Sequence, residues 1–540
     1  MADGIAGNGW LDRARTVAGP GFNRWLVPPC ALAIHLCIGM AYGFSVFWLP
    51  LSRSIGITDS VVCKGLTLGQ ALTTTSCDWR VSDLVITYSI FFVVLGAAAA
   101  LWGGWLERAG PRKAGVVAAC CWCGGMGIAA IGVSIHQLWL IWLGSGLIGG
   151  IGLGLGYISP VSTLIKWFPD RRGMATGMAI MGFGGGAMIG SPLADLLMRH
   201  FAGPASVGVW QTFLMLAAGY FVFMMAGALG YRVPAESWAP AGWAAPATVK
   251  GGKGGFHVHL KDAHRTPQFW LIWAVLLLNV SASIGIIGIA SPMLQEIFGG
   301  RLIDAPGTLF TAFDDSQKKA AAAVGAGFVG AISLFNIGGR FFWASLSDRL
   351  GRKLLYATIL ALGVLLYGVA APALSGASIG LFILTFCICA SMYGGGFATV
   401  PAYLADVFGT RFVGAIHGRL LTAWSTAGVL GPLVVANMRD ARIAAGVARV
   451  DVYPPIFWTL AAMLMLGFLA NLLVKPVDPR FHMDETPALA IEADAAAGPA
   501  SPVTASGGLT GSVLLAWAAV CLPIAWGIYQ TLIKAAVLLK

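Results

Sequence analysis

Charge is what this chain has least of. Only 11% of its 540 residues are Asp, Glu, Lys or Arg, against about 25% in soluble globular proteins. Acids are scarcer than bases, 23 against 34, and 57% of the residues are hydrophobic, with a mean hydropathy of +0.79. Such a chain cannot cover its own surface in water. Several motifs are also missing. There is no Ser/His/Asp constellation, no zinc-binding His-Glu-x-x-His and no P-loop lysine motif, so neither an enzyme nor an ATP-driven pump is expected. The glycine-rich stretch 149–156 lies inside an apolar run with no preceding strand and is no nucleotide loop. No cofactor is implied. The paired cysteines Cys121/Cys123 and Cys387/Cys389 sit in apolar runs without histidine partners, so no metal site is expected.

What the chain has in quantity is apolar runs of spanning length. They fall near 27–50, 82–105, 114–134, 138–165, 174–197, 209–231, 268–297, 320–344, 354–375, 378–405, 413–437, 453–475 and 511–533. The predicted fold is all-α, a polytopic membrane protein of two six-helix halves plus a thirteenth transmembrane helix. The expected organisation is an N-terminal half 1–231, a Gly/Lys-rich linker 232–266, a C-terminal half 267–475, an Ala/Pro/Ser/Gly-rich disordered linker 476–510 and the extra helix 511–540.

The net charge of +11 does not point to nucleic acid, because the bases stand in short clusters between apolar runs. With the N-terminus inside, the inside segments hold roughly twice the outside number of Lys and Arg. The expectation is a multi-pass protein of the cell inner membrane with a cytoplasmic N-terminus, monomeric, with the lipid bilayer and a small solute as its partners. The basic segment around Arg13, Arg15 and Arg24 reads as the flank of an uncleaved first helix. Cys63 and Cys77 flank a polar loop on the predicted outer side, where a disulfide would be stable.

An internal repeat is the strongest organising signal. Glu107-Arg108-Ala109-Gly110 answers Asp348-Arg349-Leu350-Gly351 at an offset of 241 residues, and the same offset joins Pro160 to Pro401, Gly173 to Gly414, Gly177 to Gly418 and Gly190 to Gly431. Two homologous helical halves are a transporter architecture, with the substrate site where they meet.

The repeated segments also resemble the major facilitator superfamily, whose signature loop is Gly-x-x-x-Asp-Arg-x-Gly-Arg-Lys/Arg. It stands here as Gly103 to Lys113 and again as Ser345 to Lys353. Within that superfamily the chain is similar to the oxalate/formate antiporter family, related to the monocarboxylate transporters. Three segments carry this likeness: Tyr157-Ile158-Ser159-Pro160 running to Lys166-Trp167-Phe168-Pro169-Asp170-Arg171-Arg172-Gly173, Asn336-Ile337-Gly338-Gly339-Arg340, and Leu421-Thr422-Ala423-Trp424. The likeness implies gating by the signature loops, with Glu107, Arg108 and Gly110 in one half and Asp348, Arg349 and Gly351 in the other. The acids and bases of each loop are expected to pair with each other and with helix ends. The thirteenth span resembles the small subunit sometimes encoded beside such carriers.

Arg340 is the first candidate for substrate binding. It lies inside a span, remains protonated, and costs on the order of 3 kcal/mol to place there. The acids Asp83, Asp195 and Asp406 fall near predicted helix ends, which leaves an anionic substrate as its counter-ion. A guanidinium holds a carboxylate through two parallel hydrogen bonds, and the resemblance implies the same role. Two departures bear on the substrate. Trp424 stands where oxalate antiporters carry a lysine, which favours a monoanion. Asn336 stands where monocarboxylate transporters carry a proton-coupling Asp, and Asn cannot titrate. His35 and His417 are then the titratable candidates for proton coupling. Tyr42, Phe47, Tyr157, Tyr393, Phe397 and Trp424 resemble the aromatic lining of the family's pocket. The expected function is secondary transport of a small carboxylate (oxalate, formate or a related monocarboxylate) by anion exchange with alternating access. Proton-coupled uptake of a lactate- or pyruvate-like anion and a carboxylate-sensing transceptor are the alternatives.

Overall fold

A computed structural model describes residues 9–56, 61, 66–204, 206–235, 238–240, 243, 256–483 and 510–539. Most of the Gly/Lys-rich connector, the segment 484–509 and Cys63 lie outside the described residues. Within them, thirteen helices are long and apolar enough to cross a membrane. They are α1 (Arg24–Leu51), α2 (Val81–Ala109), α3 (Pro111–Ser134), α4 (Leu138–Trp167), α5 (Arg172–Phe201), α6 (Val209–Gly230), α7 (Pro267–Ile287), α8 (Ser316–Leu350), α9 (Arg352–Leu374), α10 (Ile379–Phe408), α11 (Val413–Ala444), α12 (Arg449–Leu473) and α13 (Gly511–Ala535).

Local chemistry explains where these helices begin and end. Pro111 and Pro267 open α3 and α7, where a missing N–H costs nothing. Asp314 and Gln317 form a capping box ahead of α8. Gly110 and Gly351, equivalent in the repeat, sit at φ +88° and +82°. Each ends one helix and starts the next within a single residue, a conformation that favours glycine.

Two expected spans differ from regular helices. The run 268–297 is not continuous: α7 stops at Ile287, and a separate short helix, Ala290–Phe298, follows. Pro292 has no N–H to offer the carbonyl four residues earlier, at Gly288, so the ladder breaks there. In α1 the stretch Gly39–Phe47 is wound as a 3-10 helix.

Helices α1 to α6 pack mainly among themselves, as do α7 to α12. The groups meet along two seams, α2 against α11 and α5 against α8. Four of the repeated glycines, Gly173, Gly177, Gly414 and Gly418, face the opposite half, while Gly190 and Gly431 pack within their own halves against Met40 and Ser281. A Cβ on Gly173 of α5 would stand 2.1 Å from the Ala344 carbonyl of α8, and one on Gly418 of α11 would stand 2.2 Å from the Ala99 carbonyl of α2. Close backbone approach between membrane helices needs such residues. The repeat seen in the sequence therefore includes a repeat of the inter-half contact, at Gly173/Gly414 and Gly177/Gly418. Helix α13 lies against α1, α5 and α8.

Candidate functional site

Arg340 projects from α8 into the contact between the halves and is fully buried. Its Nε donates to Asn336 Oδ1 at 3.1 Å, and its Nη1 donates to the Ile180 carbonyl of α5 at 3.1 Å. Asn336, one turn earlier, is held by its own donation to the Ala390 carbonyl of α10 at 3.1 Å. Asn336 thus fixes the guanidinium as a hydrogen-bond acceptor and brings no charge. Space for the side chain comes from glycine: a Cβ on Gly184 would lie 2.9 Å from Arg340 Nε, and one on Gly394 would lie 3.0 Å from Arg340 Cγ. Among the described residues no carboxylate forms an ion pair with Arg340.

The aromatic residues close around this group. The Phe397 ring lies 5.6 Å from Arg340 Cζ, 4.9 Å from the Trp424 ring and 5.9 Å from the Tyr157 ring. Tyr157 and Trp424 are 5.4 Å apart, and both are fully buried. Tyr42 and Tyr393 meet across the halves, hydroxyl to hydroxyl, at 3.3 Å. Three buried donors in this cluster have no hydrogen-bond partner among the described residues: Arg340 Nη2, Tyr157 OH and Trp424 Nε1. Unmet buried donors are costly. Gathered beside an unpaired cation in an aromatic box, they suit a small ligand with several acceptor oxygens.

The structure thus brings together Arg340, Asn336, Tyr42, Tyr157, Tyr393, Phe397 and Trp424. Phe47 is not among them. It packs on Phe44 and Phe213 inside the N-terminal half, at 5.3 Å and 4.7 Å. The sequence reading overlooked Phe183, whose ring touches Tyr42, Tyr157 and Trp424 at 5.0–5.6 Å. Its signal was available: it is a lone aromatic inside the glycine run 182–186. Both histidine candidates flank Tyr157. His35 stacks on its ring at 5.2 Å, and His417 lies 5.9 Å away with Nδ1 unpartnered.

At the signature-loop end of the molecule the halves are latched twice. Glu107 pairs with Lys166 at 2.7 Å and accepts the Gly414 N–H, at the start of α11, at 3.2 Å. Asp348 accepts the Gly173 and Met174 N–H groups, at the start of α5, each at 2.8 Å, and also pairs with Arg352. Asp406 joins Arg172 at 3.2 Å to Arg352 at 3.3 Å. Each motif acid therefore sits on a helix N-terminus of the opposite half, where the dipole favours a carboxylate. The expected pairing within the loops and with helix ends is met by Asp348 with Arg352 and by both acids at helix starts, but Arg108 and Arg349 take no part in it. Both arginines are exposed and, among the described residues, in no ion pair. Adjacent residues on a helix point about 100° apart and do not face each other.

A second overlooked residue is the acid Glu296, in the short helix after α7. Its carboxylate is 2% exposed and takes Arg439, Arg449 at 3.2 Å and the Tyr453 hydroxyl. On the loop side of α2, Cys77 is disulfide-bonded; its expected partner Cys63 is outside the described residues. His136 buttresses this loop, stacked on Trp79 at 3.7 Å, with Nε2 on the Cys77 carbonyl at 2.9 Å and Nδ1 on Ser54 Oγ at 3.1 Å. Burial holds its imidazole below the ordinary range.

Comparison with known proteins agrees with this architecture. The family model of the Major Facilitator Superfamily matches residues 31–432. The chain is similar to the oxalate:formate antiporter of Oxalobacter formigenes, at 24% identity over 416 residues, covering 76% of this chain and 83% of that protein. It is similar over a shorter stretch to monocarboxylate transporter 13 of Bos taurus, at 30% identity over 121 residues, covering 22% of this chain and 26% of that one. Among solved structures, a variant of the Escherichia coli fucose:proton symporter FucP shares the fold, with a TM-score of 0.56, 12% identity and coverage of 84% of this chain and 98% of that one.

Proposed function

The chain belongs to the major facilitator superfamily, and from that premise we propose that it carries small carboxylate anions across a cell's inner membrane by exchange. One observation carries the reading: a buried arginine with no acidic partner among the described residues, ringed by aromatic residues, beside two further donors unpartnered among them. A carboxylate supplies the missing counter-charge. It accepts from the free Nη2 and the neighbouring Nη1 of Arg340, and its remaining lone pairs suit Tyr157 OH and Trp424 Nε1. The aromatic walls keep water out and so strengthen the attraction. The similarity to an oxalate:formate antiporter favours the same substrate class.

Exchange follows from the charge balance. With the site empty, Arg340 is an uncompensated cation in a low-dielectric contact between the halves, which disfavours the empty carrier's passage through the closed state. A bound anion removes that penalty, so the transition is made loaded in both directions. The latches of Glu107 and Asp348 hold the loop face closed, which the positive-inside count places in the cytoplasm. Opening that face requires both carboxylates to leave the helix ends they cap.

Vesicles containing the purified protein test the proposal. Uptake of labelled oxalate or formate is expected only when the lumen holds a counter-anion, with or without a pH gradient. Uptake of lactate or pyruvate that needs a pH gradient and no counter-anion would replace exchange by proton symport. Saturable binding without flux would make the protein a sensor.

A further inference from the structure

We infer that His35 is a proton site filled when the substrate carries two negative charges, so that a dianion crosses with one proton and a monoanion with none. The inference rests on the carboxylate reading above and extends it. His35 is fully buried in α1. Its Nδ1 lies 2.6 Å from the Ala179 carbonyl of α5, and its Nε2 lies 3.1 Å from the Tyr157 carbonyl of α4. Both ring nitrogens face acceptors. A neutral imidazole has one N–H and leaves a lone pair against one of these oxygens; only the imidazolium donates to both. The place is therefore shaped for the charged form and lacks only a counter-charge.

That counter-charge can come from the transport site. Ala179 and Ile180 are consecutive residues, and Arg340 Nη1 donates to the second carbonyl as His35 faces the first. The two bases hold neighbouring peptides of one helix. Among the described residues the surroundings offer no other balance. Helix α4 contributes Tyr157, α8 contributes Arg340, and α11 contributes His417 beyond Tyr157. Tyr42 of α1 is engaged by Tyr393 of α10. Tyr220 of α6 and Cys123 of α3 face Cys37, further along α1. Helix α13 brings only Trp517, Val520 and Ile524 against Leu32, Ala33 and Leu36. No carboxylate among the described residues forms an ion pair with any of these bases.

The charges then close in each state. With a monoanion bound, Arg340 and the substrate balance, and a proton on His35 would be an unpaired buried charge. With a dianion bound, one negative charge remains over, and a proton on His35 cancels it. His35 thus supplies on demand the second positive charge that Trp424 does not provide. A dianion with its proton and a monoanion each carry a single net negative charge, so exchange of one for the other moves no net charge.

Calorimetry on the purified wild-type protein near neutral pH, in two buffers of different ionisation enthalpy, counts protons bound with each anion. About one proton should be taken up with oxalate and none with formate. In vesicles, oxalate–formate exchange should ignore an imposed potential. In His35→Gln, oxalate affinity should fall about tenfold relative to formate, and the proton should no longer be taken up. Absence of proton uptake with oxalate in the wild type, potential-dependent exchange in the wild type, or unchanged proton uptake in His35→Gln would each overturn the inference. The wild-type measurements decide the matter even if His35→Gln fails to fold. Failure of either anion to bind would overturn the carboxylate reading and this inference with it.

Discussion

Two arginines of the C-terminal half, Arg340 and Arg439, lie within spanning helices and have opposite surroundings. Arg439, toward the far end of α11, meets the buried carboxylate of Glu296, the adjacent Asp440 at 3.0 Å and the Tyr453 hydroxyl at 3.3 Å. Its charge is answered by protein. Arg340 is more deeply buried, is held by an amide and a peptide carbonyl, and has one nitrogen with no partner among the described residues. The difference separates two uses of a buried cation. A paired one fixes helices to one another, here α11 and α12 to the helix after α7. In the proposed function the unpaired one holds a place for a charge that arrives and leaves.

The largest expected effect comes from removing the unpaired charge. Arg340→Gln should abolish exchange and weaken carboxylate binding about a hundredfold, the loss of roughly 3 kcal/mol of charge-assisted hydrogen bonding. Its thermal stability in detergent should be equal to or above that of the wild type, since a buried charge is removed and no carboxylate among the described residues loses an ion-pair partner. Wild-type exchange by the purified variant would remove Arg340 from the site. Arg439→Gln should show the reverse pattern. Arg449 at 3.2 Å leaves Glu296 only partly compensated, so unfolding should be easier by about 3 kcal/mol, while the anion affinity of the folded fraction is retained. Equal effects of the two substitutions on affinity would erase the distinction.

The latches give a finer contrast. Asp348 accepts two backbone N–H groups and an arginine, whereas Glu107 accepts one N–H and a lysine. Asp348→Asn should therefore open the loop face more than Glu107→Gln. Labelling of a cysteine introduced on that face at Ala344 would read this out, with equal labelling rates counting against the ranking. Smaller again is the effect of a second fixed charge. Trp424→Lys should raise the oxalate-to-formate binding ratio about tenfold, measured by competition on one purified sample; an unchanged or lowered ratio would mean that position 424 does not face the anion. The smallest effect is at His136. Its imidazole is held below the ordinary value of 6.5, so it contributes stability that is complete above that value and declines as the pH falls through the depressed one. His136→Gln should flatten the acid limb of the melting-temperature profile below about pH 6.5.

Much of this was legible in the sequence because a bilayer permits so few solutions. Thirteen apolar runs give thirteen spanning helices among the described residues, and the repeated pairs Gly173/Gly414 and Gly177/Gly418 mark the seams because only a missing side chain lets two helices approach so closely there. Arg340 stood out for the same reason, as a costly charge with no visible partner. What stayed hidden depended on rotation about a helix axis and on breaks within one. Arg108 and Arg349 adjoin their motif acids in sequence yet point elsewhere, while Lys166 and Arg352 arrive from another helix or another turn. Glu296 was passed over because 268–297 looked like a single span; the break before Pro292 creates the short helix that carries it. Phe183 was masked by its glycine neighbours, which bring it into the box.

Helix α13 rests on both halves at once. Its Trp517 Nε1 donates to the Trp25 carbonyl at 3.1 Å, at the start of α1. Along α8 it meets Gly327 and Gly330, and its own Gly527 faces Met188 and Ile189 of α5. One end is hooked to the N-terminal half, while the contact with the C-terminal half runs over bare backbone. In the proposed exchange cycle a body joined in this way to two moving parts would act as a bearing, fixed to one and sliding on the other. In that cycle the outer edge of the α5–α8 seam would move against a helix the protein carries with it, at glycines that leave the contact little to catch on.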